Sequence, residues 1–217
     1  MARYFRSRRR AYGALERFYS IPGPSKGTAL DQAPLLAVDV ETTGLDPRKH
    51  RMLSIGWVPI NGRGIALQGA GYCLINTLGA GSVGESATIH GLTDEALALG
   101  VSPVAAMEQL LEALEGRALV AHFSSIERDF LSALCREHFG SGLSVPVVDT
   151  FELERRHMER MGTFPRGEDL RLPRVRERYG LPRYSSHNAL TDALACAELY
   201  LALAARSRAT TVGGMLV

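Results

Sequence analysis

The stretch "LLAVDVETTG", residues 35–44, joins an apolar run to two acids and a turn. The run predicts a buried β-strand. Asp39 and Glu41 are two residues apart at its end, and side chains alternate along a strand, so both carboxylates project from the same face. Taken alone, such acids are also ordinary caps for the following turn. The question is whether other acids of the chain can meet them.

Length and composition predict one domain of ordinary size. The chain has 217 residues, of which 46% are hydrophobic and 22% charged, so it can bury a full core. The formal net charge is only +2. Residues 1–33 are basic, with six Arg and one Lys against two acids, and the remainder is slightly acidic. A surface that coats nucleic acid along its whole length is therefore not predicted, and basic contacts would be local.

The three cysteines and the hydropathy bound the kind of protein. Cys73, Cys135 and Cys196 are widely separated and follow no ligand or redox spacing, so we expect reduced, buried thiols rather than a disulfide framework or a zinc site. No apolar run approaches 18 residues, so no membrane contact is expected. We expect a cytoplasmic protein. An Arg-rich transit peptide at the N-terminus is the alternative left open.

Changes in pattern divide the chain into three parts. Residues 1–33 contain Tyr12, Leu15 and Tyr19 at helical spacing and then "IPGPSKG", which predicts a basic arm with a short amphipathic helix and a flexible linker. Residues 34–206 hold the alternating strand and helix patterns of the domain. Residues 207–217 are expected to form a C-terminal tail.

Within the domain, three strands precede an alternation of helices and strands. "RMLSIGWVPI" (51–60) and "GIALQGAGYCLI" (64–75) read as strands, and Asn61-Gly62 between them is a hairpin signal. Ser102 and Pro103 begin a helix that ends at Gly116. Strand "ALVAH", helix 124–139, strand "VPVVDT", a charged helical region 150–180 and helix 188–206 follow. This order predicts a mixed five-stranded sheet, three strands antiparallel and then two parallel, flanked by helices.

Two later segments can bring further acids to the end of the first strand. Glu127 lies in the first turn of the helix that follows "ALVAH". Asp192 lies in the last helix, about 200° around its axis from the apolar residue Leu190, and is therefore free to face a site. His187 stands at the entry of the same helix. Taken singly, each of these acids has a plain structural reading as a first-turn or surface residue of a helix.

Four carboxylates and one histidine fit the chemistry of phosphodiester hydrolysis. Clustered carboxylates raise one another's pKa unless cations neutralise them, and Mg²⁺ or Mn²⁺ prefers oxygen ligands. Two such ions can stabilise the attacking and leaving oxygens of a displacement. A histidine that titrates near neutrality can take the proton from an attacking water.

The motifs resemble those of the DEDDh 3′–5′ exonucleases, the family of the DNA polymerase III epsilon subunit and of RNase T. "VDVETTGLDP" is similar to the first motif, with Asp39 and Glu41 as its acids, and "HNALTDA" to the third, with His187 and Asp192. "IHGLTDEAL", residues 89–97, is similar to the segment that covers the active site in that family. The resemblance covers about residues 34–205 and implies a ribonuclease H-like fold.

The middle motif departs from the family pattern. Where the family has Asn-Ala-x-Phe-Asp, this chain reads Phe123-Ser124-Ser125-Ile126-Glu127. Glu127 therefore replaces the family aspartate, with the same charge and one more methylene. Asp129 is a poor substitute because it lies about 200° around the helix from Glu127.

The resemblance implies a metal-dependent exonuclease that removes nucleotides from 3′ ends. Its metal ligands would be Asp39, Glu41, Asp192 and Glu127, holding two Mg²⁺ or Mn²⁺ ions, with His187 as general base. The residues expected to contact substrate are Thr42, Thr43, Leu45, His90 and Phe123. The substrate would be single-stranded DNA or RNA 3′ ends, with DNA favoured, and a DNA polymerase is a candidate partner. The resemblance does not indicate an oligomeric state.

Two other functions remain open from the sequence. A chain weakened by Glu127 would be a nucleic-acid-binding or polymerase-associated module without turnover. The second is a nucleotide-binding oxidoreductase. "GAGSVG", residues 79–84, fits its dinucleotide-binding loop, but no strand-helix-strand unit surrounds this stretch, so a plain loop is favoured. The charged run 152–178 is expected to be a solvated helical face, and some of its arginines are candidates for backbone phosphate contacts.

Overall fold

A computed structural model describes residues 10–77, 91–185 and 187–217, and these contain one mixed sheet. Its strands are β1 (Pro34–Thr42), β2 (Met52–Asn61), β3 (Gly64–Ile65), β4 (Gly71–Leu74), β5 (Ala118–Ala121) and β6 (Val147–Asp149). The lateral order is β3, β2, β1, β5, β6. β4 pairs with a different part of β2 from the part that pairs with β3. β1 is antiparallel to β2 and parallel to β5, which is parallel to β6. The predicted ribonuclease H-like mixed sheet is confirmed.

The strand count differs from the prediction because the third predicted strand is split. β3 and β4 are separated by a 3-10 turn, Leu67–Gly69, so the sheet has six strands within the part of the chain that the structure describes. Pro59 of β2 accepts a hydrogen bond from the N–H of Ala66 but has no N–H to return to this outer edge. A continuous ladder cannot pass this proline.

Seven α-helices are found in the described residues. They are α1 (Ala14–Ser20), α2 (Asp94–Ala98), α3 (Pro103–Leu114), α4 (Ser125–Phe139), α5 (Thr150–Arg160), α6 (Leu172–Arg178) and α7 (Ala189–Arg206). The start predicted for α3 is confirmed, because the Ser102 side chain accepts a hydrogen bond from the N–H of Ala105 at 3.1 Å. The predicted region 150–180 divides into α5, a 3-10 turn at Gly167–Leu170, and α6.

The two faces of β1 belong to two different cores. Leu36 and Val38 pack in a cluster with apolar residues of α1, α3 and α4. Leu35 and Ala37 pack in the other cluster, with residues of α7. Asp39 and Glu41 continue the second, odd-numbered series, so the alternation of the strand directs both acids to the face covered by α7.

The segment expected to form an arm packs on the domain from at least residue 14. Leu15 and Phe18 of α1 are buried in the cluster that contains α3 and α4. The segment expected to form a tail also packs, with Val212 and Met215 buried in the α7 cluster. Both described segments thus bury apolar side chains against the domain, and we propose that they belong to the same folded unit.

Two expectations from the composition concern the cysteines and membrane-spanning helices. All three cysteines are buried and unpaired, as predicted. Among the residues described, none of the helices combines the length and the apolar character needed to cross a bilayer.

A glycine in β2 brings the last helix onto the end of β1. Gly56 pairs with Asp39 in the antiparallel register. A Cβ atom built on Gly56 would lie 2.2 Å from the carbonyl carbon of Ala189 and 2.2 Å from the nitrogen of Leu190. The first turn of α7 therefore lies directly on the β2 backbone, and this contact carries Asp192 toward Asp39.

We expect Gly56→Ala to destabilise the protein by about 2–3 kcal/mol, because backbone atoms of α7 cannot yield to a methyl group as a flexible side chain can. Thermal unfolding measures the loss. Gly64→Ala is the matched control, since a Cβ there would lie 3.9 Å from its nearest neighbour. Equal melting temperatures for the two variants would show that α7 does not depend on this contact.

Candidate active site

Three carboxylates meet where β1 ends and α7 begins. Oxygen atoms of Asp39, Glu41 and Asp192 all lie within 4.8 Å of one another, and each residue is half-buried. Asp39 and Glu41 reach the cluster from one face of β1, and Asp192 reaches it from the first turn of α7. Acids about 150 residues apart in sequence are thus brought together as predicted.

Glu127 is a fourth acid at the buried side of this cluster. It lies in the first turn of α4, and only 3% of its surface is exposed. Its charge raises the pKa of Asp39, so the two carboxylates are near each other. The Oε2 atom of Glu127 is buried and has no hydrogen-bond partner among the residues described. A buried, unpaired carboxylate oxygen is costly unless the group is protonated or a cation binds it.

Burial, and after it the charges of neighbouring acids, opposes the ionisation of Asp39, Glu41 and Glu127. Burial first, and then the charges of Glu127, Asp192 and Glu41, hold the pKa of Asp39 well above its ordinary value. Burial, followed by the charge of Asp192, raises the pKa of Glu41 to about 7. Burial is also the largest cause that raises the pKa of Glu127 to about 8. An oxygen-only donor set with this excess of negative charge fits a hard divalent cation.

His187 lies beside Asp192 in an unusual backbone conformation. Its φ angle is +72°, in the left-handed region that residues other than glycine seldom adopt. Its N–H donates to Asp192 Oδ2 at 2.7 Å, and its side chain is exposed. The charge of His187 lowers the pKa of Asp192, against the larger upward effect of burial. Asp192 therefore fixes the backbone of the histidine beside the carboxylate cluster.

Phe123 also has a left-handed backbone and presents its ring to solvent. Its φ angle is +68° and 47% of its surface is exposed. The ring packs edge-on against Phe151, with centroids 5.1 Å apart. Its N–H donates to Asp149 Oδ1 at 3.1 Å. Phe123 stands two residues before Ser125, where the helix that carries Glu127 begins.

Asp149 is a residue of this region that the sequence reasoning did not single out. Its carboxylate accepts the N–H groups of Phe123 and Ser124 at the entry of α4. It also accepts those of Phe151 and Glu152, and so caps α5. The available signal was the strand "VPVVD", which ends in an acid as "LLAVD" does. Asp149 fixes the start of α4 and with it the position of Glu127.

The turn after β1 contains three of the predicted substrate contacts. The hydroxyl of Thr42 donates to the Gly44 carbonyl at 2.8 Å, and the hydroxyl of Thr43 accepts the N–H of Arg51 at 3.0 Å. Leu45, in contrast, is 73% exposed. Both threonines therefore shape the turn, and Leu45 is the side chain that the turn presents to solvent. The predicted contact His90 and the loop "GAGSVG" lie outside the described residues.

The sequence profile of the RNase T exonuclease family matches residues 36–200. The chain belongs to this family. The match spans all four acids and His187, and it confirms the resemblance inferred from the two outer motifs.

Some relatives of this chain are much longer proteins, and the chain matches only a part of them. The DNA polymerase III PolC-type protein of Thermotoga maritima is 28% identical over 177 residues, which cover 82% of this chain and 12% of that protein. The DNA polymerase III subunit epsilon of Treponema pallidum is 27% identical over 172 residues, covering 78% of this chain and 75% of the relative. The chain thus spans about an eighth of the PolC-type relative.

A solved structure shares the fold at low sequence identity. E. coli Exonuclease I, crystallised with a dT13 oligonucleotide, superposes with a TM-score of 0.65 at 13% identity. The alignment covers 81% of this chain and 42% of that one. This similarity supports the ribonuclease H-like architecture.

The raised pKa values predict how stability varies with pH when divalent ions are absent. The pKa of Glu127 is raised to about 8 and that of Glu41 to about 7, so folding favours their protonated forms. Their contribution to the free energy of unfolding is full below about pH 4.5 and is lost as the pH rises toward 8. We expect the melting temperature of the chelator-treated protein to fall between pH 6 and pH 8.5, and Mn²⁺ to raise it most at pH 8.5.

Two variants separate this effect from general pH sensitivity. Glu127→Gln removes the buried charge, so the fall in melting temperature should become smaller. Asp129→Asn is the matched control, because Asp129 is exposed on the same helix, and the fall should persist. The interpretation would be contradicted if Glu127→Gln left the pH dependence unchanged.

Proposed function

We propose that this protein is a metal-dependent 3′–5′ exonuclease that hydrolyses phosphodiester bonds at the ends of single-stranded nucleic acid. The observation that carries the proposal is the carboxylate cluster of Asp39, Glu41 and Asp192, with the buried and unpaired Glu127 beside it. Such an arrangement costs stability without cations, and it stands in a chain of the exonuclease family. We assign the cluster to catalysis rather than to structure.

The donor set fits two Mg²⁺ or Mn²⁺ ions. Asp39 would be the shared ligand, because burial and then the charges of Glu127, Asp192 and Glu41 raise its pKa, which indicates that all three acids lie near it. Glu41 and Asp192 would complete one site, and Glu127 would support the second. Divalent ions, when bound, stabilise the charge that develops on the attacking and leaving oxygens of a phosphodiester.

The chain's own residues supply the proton transfer and the orientation. In our proposal an imidazole nitrogen of His187 accepts the proton of the attacking water, and the exposed side chain can reach water without rearrangement of the core. The bond from the His187 N–H to Asp192 holds the histidine next to a metal ligand. Asp149 keeps the start of α4 in place, so that Glu127 points into the cluster.

We propose DNA as the favoured substrate and a DNA polymerase as a candidate partner. The support is that relatives are named as DNA polymerase III subunits, and that a protein of similar fold was crystallised with a dT13 oligonucleotide. The exposed ring of Phe123 and the exposed side chain of Leu45 are the candidate contacts for unpaired bases. Thr42, Thr43 and His90 stay proposed contacts of the same kind.

With Mg²⁺ or Mn²⁺ we expect a 5′-labelled single-stranded oligonucleotide to be shortened stepwise from its 3′ end. Asp39→Ala should abolish shortening because it removes the shared ligand. His187→Ala should reduce kcat by about 10²–10⁴-fold, the usual contribution of a general base. Gel analysis of matched DNA and RNA substrates measures the products and the preference between the two sugars.

The departure of Glu127 from the family pattern defines the rival function, a binding module without turnover. Tight strand binding without any shortening, with either metal, would replace the exonuclease by this module. Asp129→Ala is the control that should keep full activity. Glu127→Asp tests the fit of the longer side chain: if Glu misplaces a ligand, activity rises, and if the pocket is built for Glu, it falls.

A further inference from the structure

One arginine in the charged run 152–178 is buried, contrary to the expectation of a solvated face. Arg176 of α6 is 3% exposed. Its neighbour on the same helix, Arg174, has 71% of its side chain exposed and forms only a long ion pair with Glu177, at 3.7 Å. A guanidinium loses favourable hydration when it is buried, so Arg176 must find several polar partners.

The partners of Arg176 belong to α7 and to the stretch of chain that follows α6. Its guanidinium donates to the carbonyl of Ala195 at 2.5 Å and to Glu198 Oε2 at 2.7 Å, both on α7. It also donates to the carbonyl of Pro182 at 2.8 Å. Pro182 lies in the segment of residues 181–185, which follows α6 and precedes His187 in sequence. Arg176 therefore ties this segment to the helix that carries Asp192.

Tyr184 closes the network from the segment's side. Its ring lies under the guanidinium of Arg176, with 4.7 Å from the guanidinium carbon to the ring centroid. Its hydroxyl donates to Glu198 Oε1 at 2.8 Å. Each carboxylate oxygen of Glu198 is thus engaged, one by Arg176 and one by Tyr184. Three residues farther along the chain is His187, whose N–H is held by Asp192.

These polar contacts hold Pro182 and Tyr184. Leu181 packs against the buried apolar cluster of Val175, Leu199 and Leu203. A cavity of about 260 Å³ lies against the segment, lined in part by Leu172, Leu181 and Pro182, with Asp192 at its edge. The left-handed conformation of His187 persists only if its surroundings impose it.

We propose that Arg176 is a positioning residue for His187, and that the Arg176, Glu198 and Tyr184 network sets the place of the histidine relative to the carboxylate cluster. This inference rests on the proposed function for its catalytic consequence. The network acts on the path of the backbone, and none of its three members belongs to the proposed ligand set. Burial raises the pKa of Asp192, and the charge of Arg176 opposes part of this rise. Loss of the network should therefore impair turnover while metal binding and strand binding are preserved.

Arg176→Met and Tyr184→Phe, with Arg174→Met as the matched control, test the proposal. We expect Arg176→Met to lower kcat by about 10–100-fold, the usual effect of a misplaced catalytic group, with KM for the oligonucleotide and Mn²⁺ affinity changed less than about 3-fold. Tyr184→Phe should give a smaller loss of kcat, since the ring stays under the guanidinium. Hydrogen exchange of residues 181–188 should accelerate in both variants and should stay at the wild-type rate in Arg174→Met.

Each outcome decides the proposal. Wild-type kcat in a folded Arg176→Met variant would overturn it, as would a loss of Mn²⁺ affinity as large as the loss of kcat, which would indicate a structural role for the whole site. If Arg176→Met does not fold, Tyr184→Phe and Glu198→Gln supply the same comparison. Hydrogen exchange can be measured whether or not the protein is active. A wild-type protein without nuclease activity would contradict the proposed function. Unchanged exchange in the variants would contradict the proposal that the network holds the segment before His187.

Discussion

The gathering of several carboxylates into a partly buried place at the end of β1 is the constraint on which the site depends. Asp39 lies close to the other acids, because the odd-numbered face of β1 directs it to α7 and the contact at Gly56 holds that helix against the sheet. Glu127 closes the buried side with an oxygen that no hydrogen bond satisfies among the residues described. Such a cluster destabilises the fold locally, which is expected of a functional site.

Much of the fold and the site could be predicted because the signals are local. The alternation of β1 placed Asp39 and Glu41 on one face, and the helical period freed Asp192 from the core stripe of α7. Ser102 and Pro103 marked the start of α3 through the chemistry of a helix N-terminus. For these elements the residues that decide the structure are close together in sequence.

The rest depends on partners that are distant in sequence. Nothing near Arg176 indicates that Ala195, Pro182 and Glu198 will surround it, so its charge suggested a solvated face. Leu15 and Phe18 looked like part of an arm because the helices that bury them come about 90 residues or more later. The split of β3 from β4 required knowing which edge of β2 Pro59 faces. In each case tertiary contact overrode the local pattern.

Anomalous diffraction from crystals soaked with Mn²⁺ and a nucleoside 5′-monophosphate tests the central claim most directly, because it locates the ions without relying on activity. Our account predicts two manganese peaks about 3.5–4 Å apart. Both should touch Asp39, one should be completed by Glu41 and Asp192, and the other should lie toward Glu127. An ordered Asp39, Glu41 and Asp192 cluster without any manganese peak, at an ion concentration that saturates other sites, would contradict the account.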